Sequence, residues 1–170
     1  ELFRVLRRVV YEDPSRQAAV KDLIKKHPKI VIFYNFNYEL EALRMLGGDF
    51  VVAEWNGQKK EAIPNTDSWV YLVQYVAGAE GWNCTDTDAM VFHSQTYSYK
   101  NFEQAQGRID RLDTPYVQLY YYILTAHSVI ERAISDVLAG KGHFNELAWA
   151  KTEFGISNRN FGGSDELMAA

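Results

Sequence analysis

Ile30-Val31-Ile32-Phe33-Tyr34 is an unbroken apolar run, β-branched in its first three positions. A strand with one face in water alternates apolar and polar residues. A short continuous run belongs to a strand covered on both faces, as in a parallel sheet. Working outward, residues 50–53, 69–73 and 89–92 repeat the pattern as Phe-Val-Val-Ala, Trp-Val-Tyr-Leu-Val and Ala-Met-Val-Phe. Helical periods lie between them. Residues 15–26 place Val20, Leu23 and Ile24 on one side and stop at His27-Pro28. Asn37 is positioned to cap a helix with Glu39 in its first turn, Leu40 and Leu43 inward, and Gly47-Gly48 as its stop. Strands alternating with helices predict an α/β fold: a parallel β-sheet flanked by helices on both faces.

Asn56-Gly57-Gln58-Lys59-Lys60 reads as a short helix or turn closed by Pro64. Residues 116–124 alternate Val117, Leu119, Tyr121 and Ile123 against their neighbours, which predicts a strand near the sheet edge. Ser128 and Glu131 have capping-box spacing, followed by a helical apolar face through Leu138. Beyond Gly140 the pattern weakens. Residues 144–151 support one more helix, and residues 156–170, rich in Gly, Asn and Ser, read as a linker or loosely packed tail.

A chain of 170 residues with 47% hydrophobic content is long enough for one substantial core. The net charge of -4 argues against coating nucleic acid by charge alone, although it permits a local basic patch. The single cysteine, Cys84, excludes an intrachain disulfide and points to a reducing, cytosolic compartment. With His27, His93, His127 and His143 it shows no zinc-ligand spacing, and no metal ligands are expected. No apolar stretch is long enough to span a membrane. A first residue of Glu rather than Met suggests a fragment or processed product.

Two segments carry candidate chemistry. Residues 74–83, Gln-Tyr-Val-Ala-Gly-Ala-Glu-Gly-Trp-Asn, join the third strand to the fourth, and ligands of parallel sheets gather at the carboxyl ends of strands. Gly78 and Gly81 let the backbone turn sharply and approach another molecule. Asn83 and Asp88 suit a sugar hydroxyl or a facing arginine. The same loop also reads as an ordinary crossover with Trp82 packed in the core. Residues 104–111, Gln-Ala-Gln-Gly-Arg-Ile-Asp-Arg, place Gln104, Gly107, Arg108 and Arg111 on one stripe if helical. Two stacked guanidiniums repel unless an anion faces them, and their planar forks match phosphate oxygens. The alternative is a solvated face paired with Glu103, Asp110 or Asp113. No Gly-x-x-x-x-Gly-Lys-Ser/Thr phosphate loop and no acidic pair at a strand end is present. Phosphate-sensing arginines without a phosphate cradle suit the second half of a two-part site.

In order, these segments resemble the C-terminal RecA-like domain of superfamily-2 helicases, nearest to Swi/Snf-type translocases and their phage-encoded relatives. The resemblance covers about residues 15–140. Residues 29–43 look like motif IV, and Asn56-Gly57 with its basic sequel resembles the segment after it. Residues 77–88 are similar to motif V, and Gln104–Arg111 carries every fixed position of Gln-x-x-Gly-Arg-x-x-Arg, motif VI. A family serine or threonine before motif V is replaced by Gln74-Tyr75, and Lys59-Lys60 stand where an arginine is usual.

The resemblance implies a RecA-like fold, with residues 1–140 as the helicase C-terminal domain and 141–170 as a helix and tail. It implies Arg111 as arginine finger, Arg108 as a second phosphate contact and Gln104 at the interdomain cleft, these three catalytic. Gly81, Asn83 and Gly107 would border the nucleotide; Tyr34, Asn35, Gln74, Tyr75 and Gly78 would contact nucleic acid, DNA in preference to RNA. ATP and Mg2+ would be held mainly by an N-terminal RecA-like domain outside this chain, leaving the isolated chain inactive. The setting would be cytoplasmic, a host's cytoplasm if phage-encoded. The alternative is a non-enzymatic nucleic-acid or protein binding module derived from a helicase half.

Overall fold

The computed structural model describes residues 2–78 and 81–154. Helices α1 (Leu2–Tyr11) and α2 (Pro14–Lys26) precede β1 (Lys29–Tyr34). Then follow α3 (Asn37–Arg44), a 3-10 turn (Met45–Asp49), β2 (Val51–Trp55), β3 (Trp69–Gln74) and the single turn α4 (Tyr75–Gly78). The chain continues through β4 (Ala89–Phe92), α5 (Tyr99–Gln106), β5 (Tyr120–Ile123), α6 (Val129–Ala139) and α7 (Glu146–Phe154). All strand pairs are parallel, in the order β2-β3-β1-β4-β5. The expected α/β sheet is therefore present, with β1 at its centre.

The central strand shows why its sequence does not alternate. Val31 and Phe33 enter a core with Tyr71, Val73, Met90, Phe92 and Ala105 on the α5 side. Ile30, Ile32 and Tyr34 enter a second core with Val20, Leu23, Leu40 and Leu43 on the α2–α3 side. A period of two sends neighbours to opposite faces, and both faces are covered. A smaller cluster joins Ile130, Ile134 and Leu138 of α6 to Phe144.

Several local expectations are corrected by long-range contacts. Helix α1 is an element that the sequence pattern did not announce. Asn37 does not cap α3: the N-cap is Phe36, with no side-chain cap bond. Glu39 instead turns fully inward, where its carboxylate accepts from the Asn35 amide (3.1 Å) and from Ser94 Oγ (2.8 Å). Ser128 does cap α6, accepting from the Glu131 amide at 3.2 Å. The Glu131 carboxylate completes no capping box. It is buried against Arg16 of α2 (2.6 Å) and accepts from the Ala126 amide. Residues 56–60 form a turn, closed by an antiparallel bridge between Trp55 and Lys60. Ala79 and Glu80 of the glycine loop and the tail at 155–170 lie outside the described residues. Among the described residues, no helix is long and apolar enough to cross a membrane.

Candidate active site

The stripe expected over Gln104–Arg111 is not one helix. Ser98 caps α5 by accepting from the Asn101 amide, and the helix ends at Gln106 with Gly107 as its C-cap. Arg108 and Arg111 lie in the turns beyond, so helical spacing does not bring them together. The glycine loop does. The Cys84 amide donates to Arg108 O (3.0 Å), Arg108 Nη1 to Trp82 O (3.3 Å) and Arg111 Nη2 to Asn83 Oδ1 (2.6 Å). Three bonds thus join residues 82–84 to residues 108–111, across about 25 residues of sequence.

Trp82 anchors this junction. Its indole is buried against Phe33 (6.0 Å between ring centroids) and edge-on to Tyr71 (5.4 Å), so it is a core residue, as an ordinary crossover loop would have it. That anchoring leaves Gly81 and Asn83 exposed on either side of it. Gly81 has φ +65, a left-handed conformation that glycine adopts without strain. Burial, and then the like charge of Arg111, hold the Arg108 guanidinium below the ordinary arginine pKa. Arginine nevertheless stays protonated, so two cations are held in mutual repulsion on one loop. Arg111 bonds to a neutral amide. Among the described residues it forms no ion pair with Asp110 or Asp113, as a solvated face would require.

Gln104 is exposed on α5 and shares a narrow cleft with Asn101, Ala105, Phe33, Tyr75 and Gly78. Gly107 is right-handed (φ −65), and an added Cβ would meet only ordinary contacts, the nearest being Gln104 O at 3.7 Å. Among the described residues, no contact requires glycine there.

The second group of candidates lies along the carboxyl edge of the sheet, and here the placements differ from expectation. Tyr34 and Tyr75 are buried at 0% and 3% exposure, and Tyr75 donates to Ser94 O (3.0 Å). Neither ring faces solvent, because α2–α3 covers one side of the sheet and α5 the other. Gly78 is also buried; a Cβ there would stand 2.8 Å from the Phe33 ring and 2.9 Å from Val73 Cγ1. Its bare backbone permits this close packing within the chain. Asn35 and Gln74 do meet: Gln74 Nε2 donates to Asn35 O (3.2 Å), and Asn35 Nδ2 donates to Ser94 Oγ and Gln95 O (both 2.9 Å). Ser94 and Gln95 escape a reading of the sequence because they follow β4 without any motif; only the sheet order sets them beside Asn35.

Among the described residues, no group of three or more His, Cys, Asp or Glu side chains could hold a metal ion. The paired arginines suit phosphate oxygens.

No family model and no curated protein matches the chain. Among solved structures, it is similar to the crystal structure of the C-terminal part of Fun30 ATPase domain, with a TM-score of 0.67 and 19% identity. The match covers 78% of this chain and 47% of that one, so the chain spans about half the length of the structure it resembles. At that identity the likeness is one of fold alone, a RecA-like parallel α/β sheet flanked by helices.

Proposed function

We propose that this chain is the second motor domain of an ATP-dependent nucleic-acid helicase or translocase. The observation that carries the reading is the junction of residues 82–84 with 108–111. It holds Arg108 and Arg111 together on one loop, with Arg111 steadied by a neutral amide. Such an arrangement suits an anion, and the terminal phosphates of ATP supply one. Gly107, which no contact among the described residues requires to be glycine, leaves room for a phosphoryl group to approach the backbone. Gly81 and Asn83 border the same opening, and Gln104 flanks it from α5.

In this mechanism ATP and Mg2+ are held mainly by an N-terminal RecA-like domain, since this chain has no phosphate loop. Closure of the two domains brings Arg111 to the transferred phosphoryl group, with Arg108 as a second contact. Their charge opposes the charge that develops there, and Asn83 fixes the Arg111 guanidinium in advance. Opening and closing step the nucleic-acid contacts of Asn35 and Gln74 along a strand, DNA in preference to RNA. Tyr34, Tyr75 and Gly78 form the packed floor beneath those contacts. Residues 1–140 constitute the motor domain and 141–170 an appended helix and tail, in the cytoplasm.

The test is Arg111→Ala in the full-length protein. Nucleic-acid-stimulated ATP hydrolysis falls by on the order of 10³-fold or more, while ATP binding is retained. Wild-type turnover in that variant overturns the assignment. If the wild-type protein binds nucleic acid but never hydrolyses ATP, the binding-module reading replaces it.

A further inference from the structure

We propose that Tyr121 of β5 is a positioning residue for the turn that carries Arg108 and Arg111. The proposal rests on the motor reading above and names what steadies its arginines from the sheet side. Because α5 ends at Gln106, no helical frame fixes residues 107–111. The last carbonyls of a helix also lack intrahelical partners and take them from elsewhere. Tyr121 Oη donates to Gln106 O at 3.3 Å, and the Ile109 amide donates to the same oxygen at 3.4 Å. The arginine turn therefore leaves the helix at a carbonyl tied to the sheet.

The strand period explains why this tyrosine, and neither neighbour, reaches Gln106. Tyr120, Tyr121 and Tyr122 are consecutive, and a period of two sends the middle one to the opposite face. Tyr121, with Leu119, packs against the core on the α5 side. Tyr120 and Tyr122 pack on the α2–α3 side, where Tyr122 Oη meets His27 Nε2 at 2.8 Å. Parallel pairing of Tyr121 with Met90 of β4 sets its height along the sheet.

The rest of the turn is held closely enough for one hydroxyl to matter. Ile109 is fully buried in the same core, which pins the backbone between the two arginines. The Cys84 amide donates to Arg108 O at 3.0 Å, and the Thr114 amide donates to Arg111 O at 3.1 Å. Burial, and then the charge of Asp110, push the Tyr121 phenol above its ordinary pKa, which keeps the proton on the donating oxygen. Without that hydroxyl, Gln106 O is left with the long bond from Ile109, and the turn beyond it is less firmly placed. A guanidinium stabilises developing charge best when it is aimed in advance.

The experiment measures steady-state ATP hydrolysis by the full-length protein with nucleic acid present. The variants are Tyr121→Phe, Tyr122→Phe, Arg111→Ala, and Tyr121→Phe combined with Arg111→Ala. Tyr121→Phe is expected to lower kcat by about 2- to 5-fold, the weak end of what one hydrogen bond contributes, since 3.3 Å is long for O–H···O. KM for ATP stays unchanged, because the nucleotide is held mainly by the other domain. Tyr122→Phe loses a shorter hydroxyl contact on the far face of the same strand yet keeps wild-type kcat, a split that a merely structural role does not produce. In the Arg111→Ala background the loss from Tyr121→Phe shrinks, since the residue being aimed is gone. Wild-type kcat in Tyr121→Phe, an equal fall in Tyr122→Phe, or an undiminished loss in the double variant overturns the positioning role, while Arg111→Ala still reports on the motor. Wild-type turnover in Arg111→Ala removes the motor reading and the positioning role with it.

Discussion

Gly78 shows how one atom decides a local structure. Its Cα sits where a methyl group would come within 2.8 Å of Phe33 Cε1 and 2.9 Å of Val73 Cγ1. Phe33 cannot yield easily, since Tyr75, Trp82 and Phe92 surround its ring at 5.1 to 6.0 Å between centroids. Gly78→Ala is therefore expected to destabilise the chain by about 1–3 kcal/mol, the usual cost of overpacking a filled core. A urea unfolding curve measures this, and an unchanged midpoint would refute the packing role. Gly107 is the converse case: alanine fits there, so reduced turnover at unchanged stability in Gly107→Ala would mark a residue kept for its ligand. In the sequence both positions are simply glycines in motifs. What separates them is the distance to neighbours remote in sequence.

At the scale of elements, the Arg16–Glu131 pair fastens α2 to α6 beneath the carboxyl ends of β4 and β5. Both side chains are buried, 4% and 1% exposed, and Arg16 also donates to Leu124 O (3.1 Å) and His93 O. Removing one member leaves the other charge buried without its counter-charge, which typically costs about 3–5 kcal/mol. Glu131→Gln should lower the unfolding midpoint accordingly. Glu131→Leu combined with Arg16→Met should lower it less, because no charge is stranded. Additive losses in the double variant would argue against the pair. The spacing of Ser128 and Glu131 correctly announced the start of α6. It could not announce that the carboxylate would leave its own helix end for an arginine 115 residues away.

At the scale of the whole molecule, the candidate residues fall into two groups. The arginine junction lies on the α5 side of the sheet, and the polar row of Gln74, Asn35, Ser94 and Gln95 lies along its carboxyl edge. The motor proposed above needs both, together with a nucleotide held from outside. The isolated chain is accordingly expected to show no ATP hydrolysis above background with or without nucleic acid, while the full-length protein hydrolyses it. Turnover by the isolated chain would place a complete nucleotide site within these residues. The sequence by itself determined the α/β class, because a strand covered on both faces must be apolar at successive positions, as β1 is. It also singled out Arg108, Arg111 and Asn83 as candidates from residue type and order, and the structure brings Asn83 and Arg111 into hydrogen-bond contact. Only the tertiary structure decided that the arginines meet through the glycine loop rather than along a helix. It likewise decided that Tyr34 and Tyr75 are core, and that Glu39 faces inward. The reason is physical: periodicity is a local property, whereas burial and hydrogen-bond partners depend on which distant segment the sheet order brings alongside.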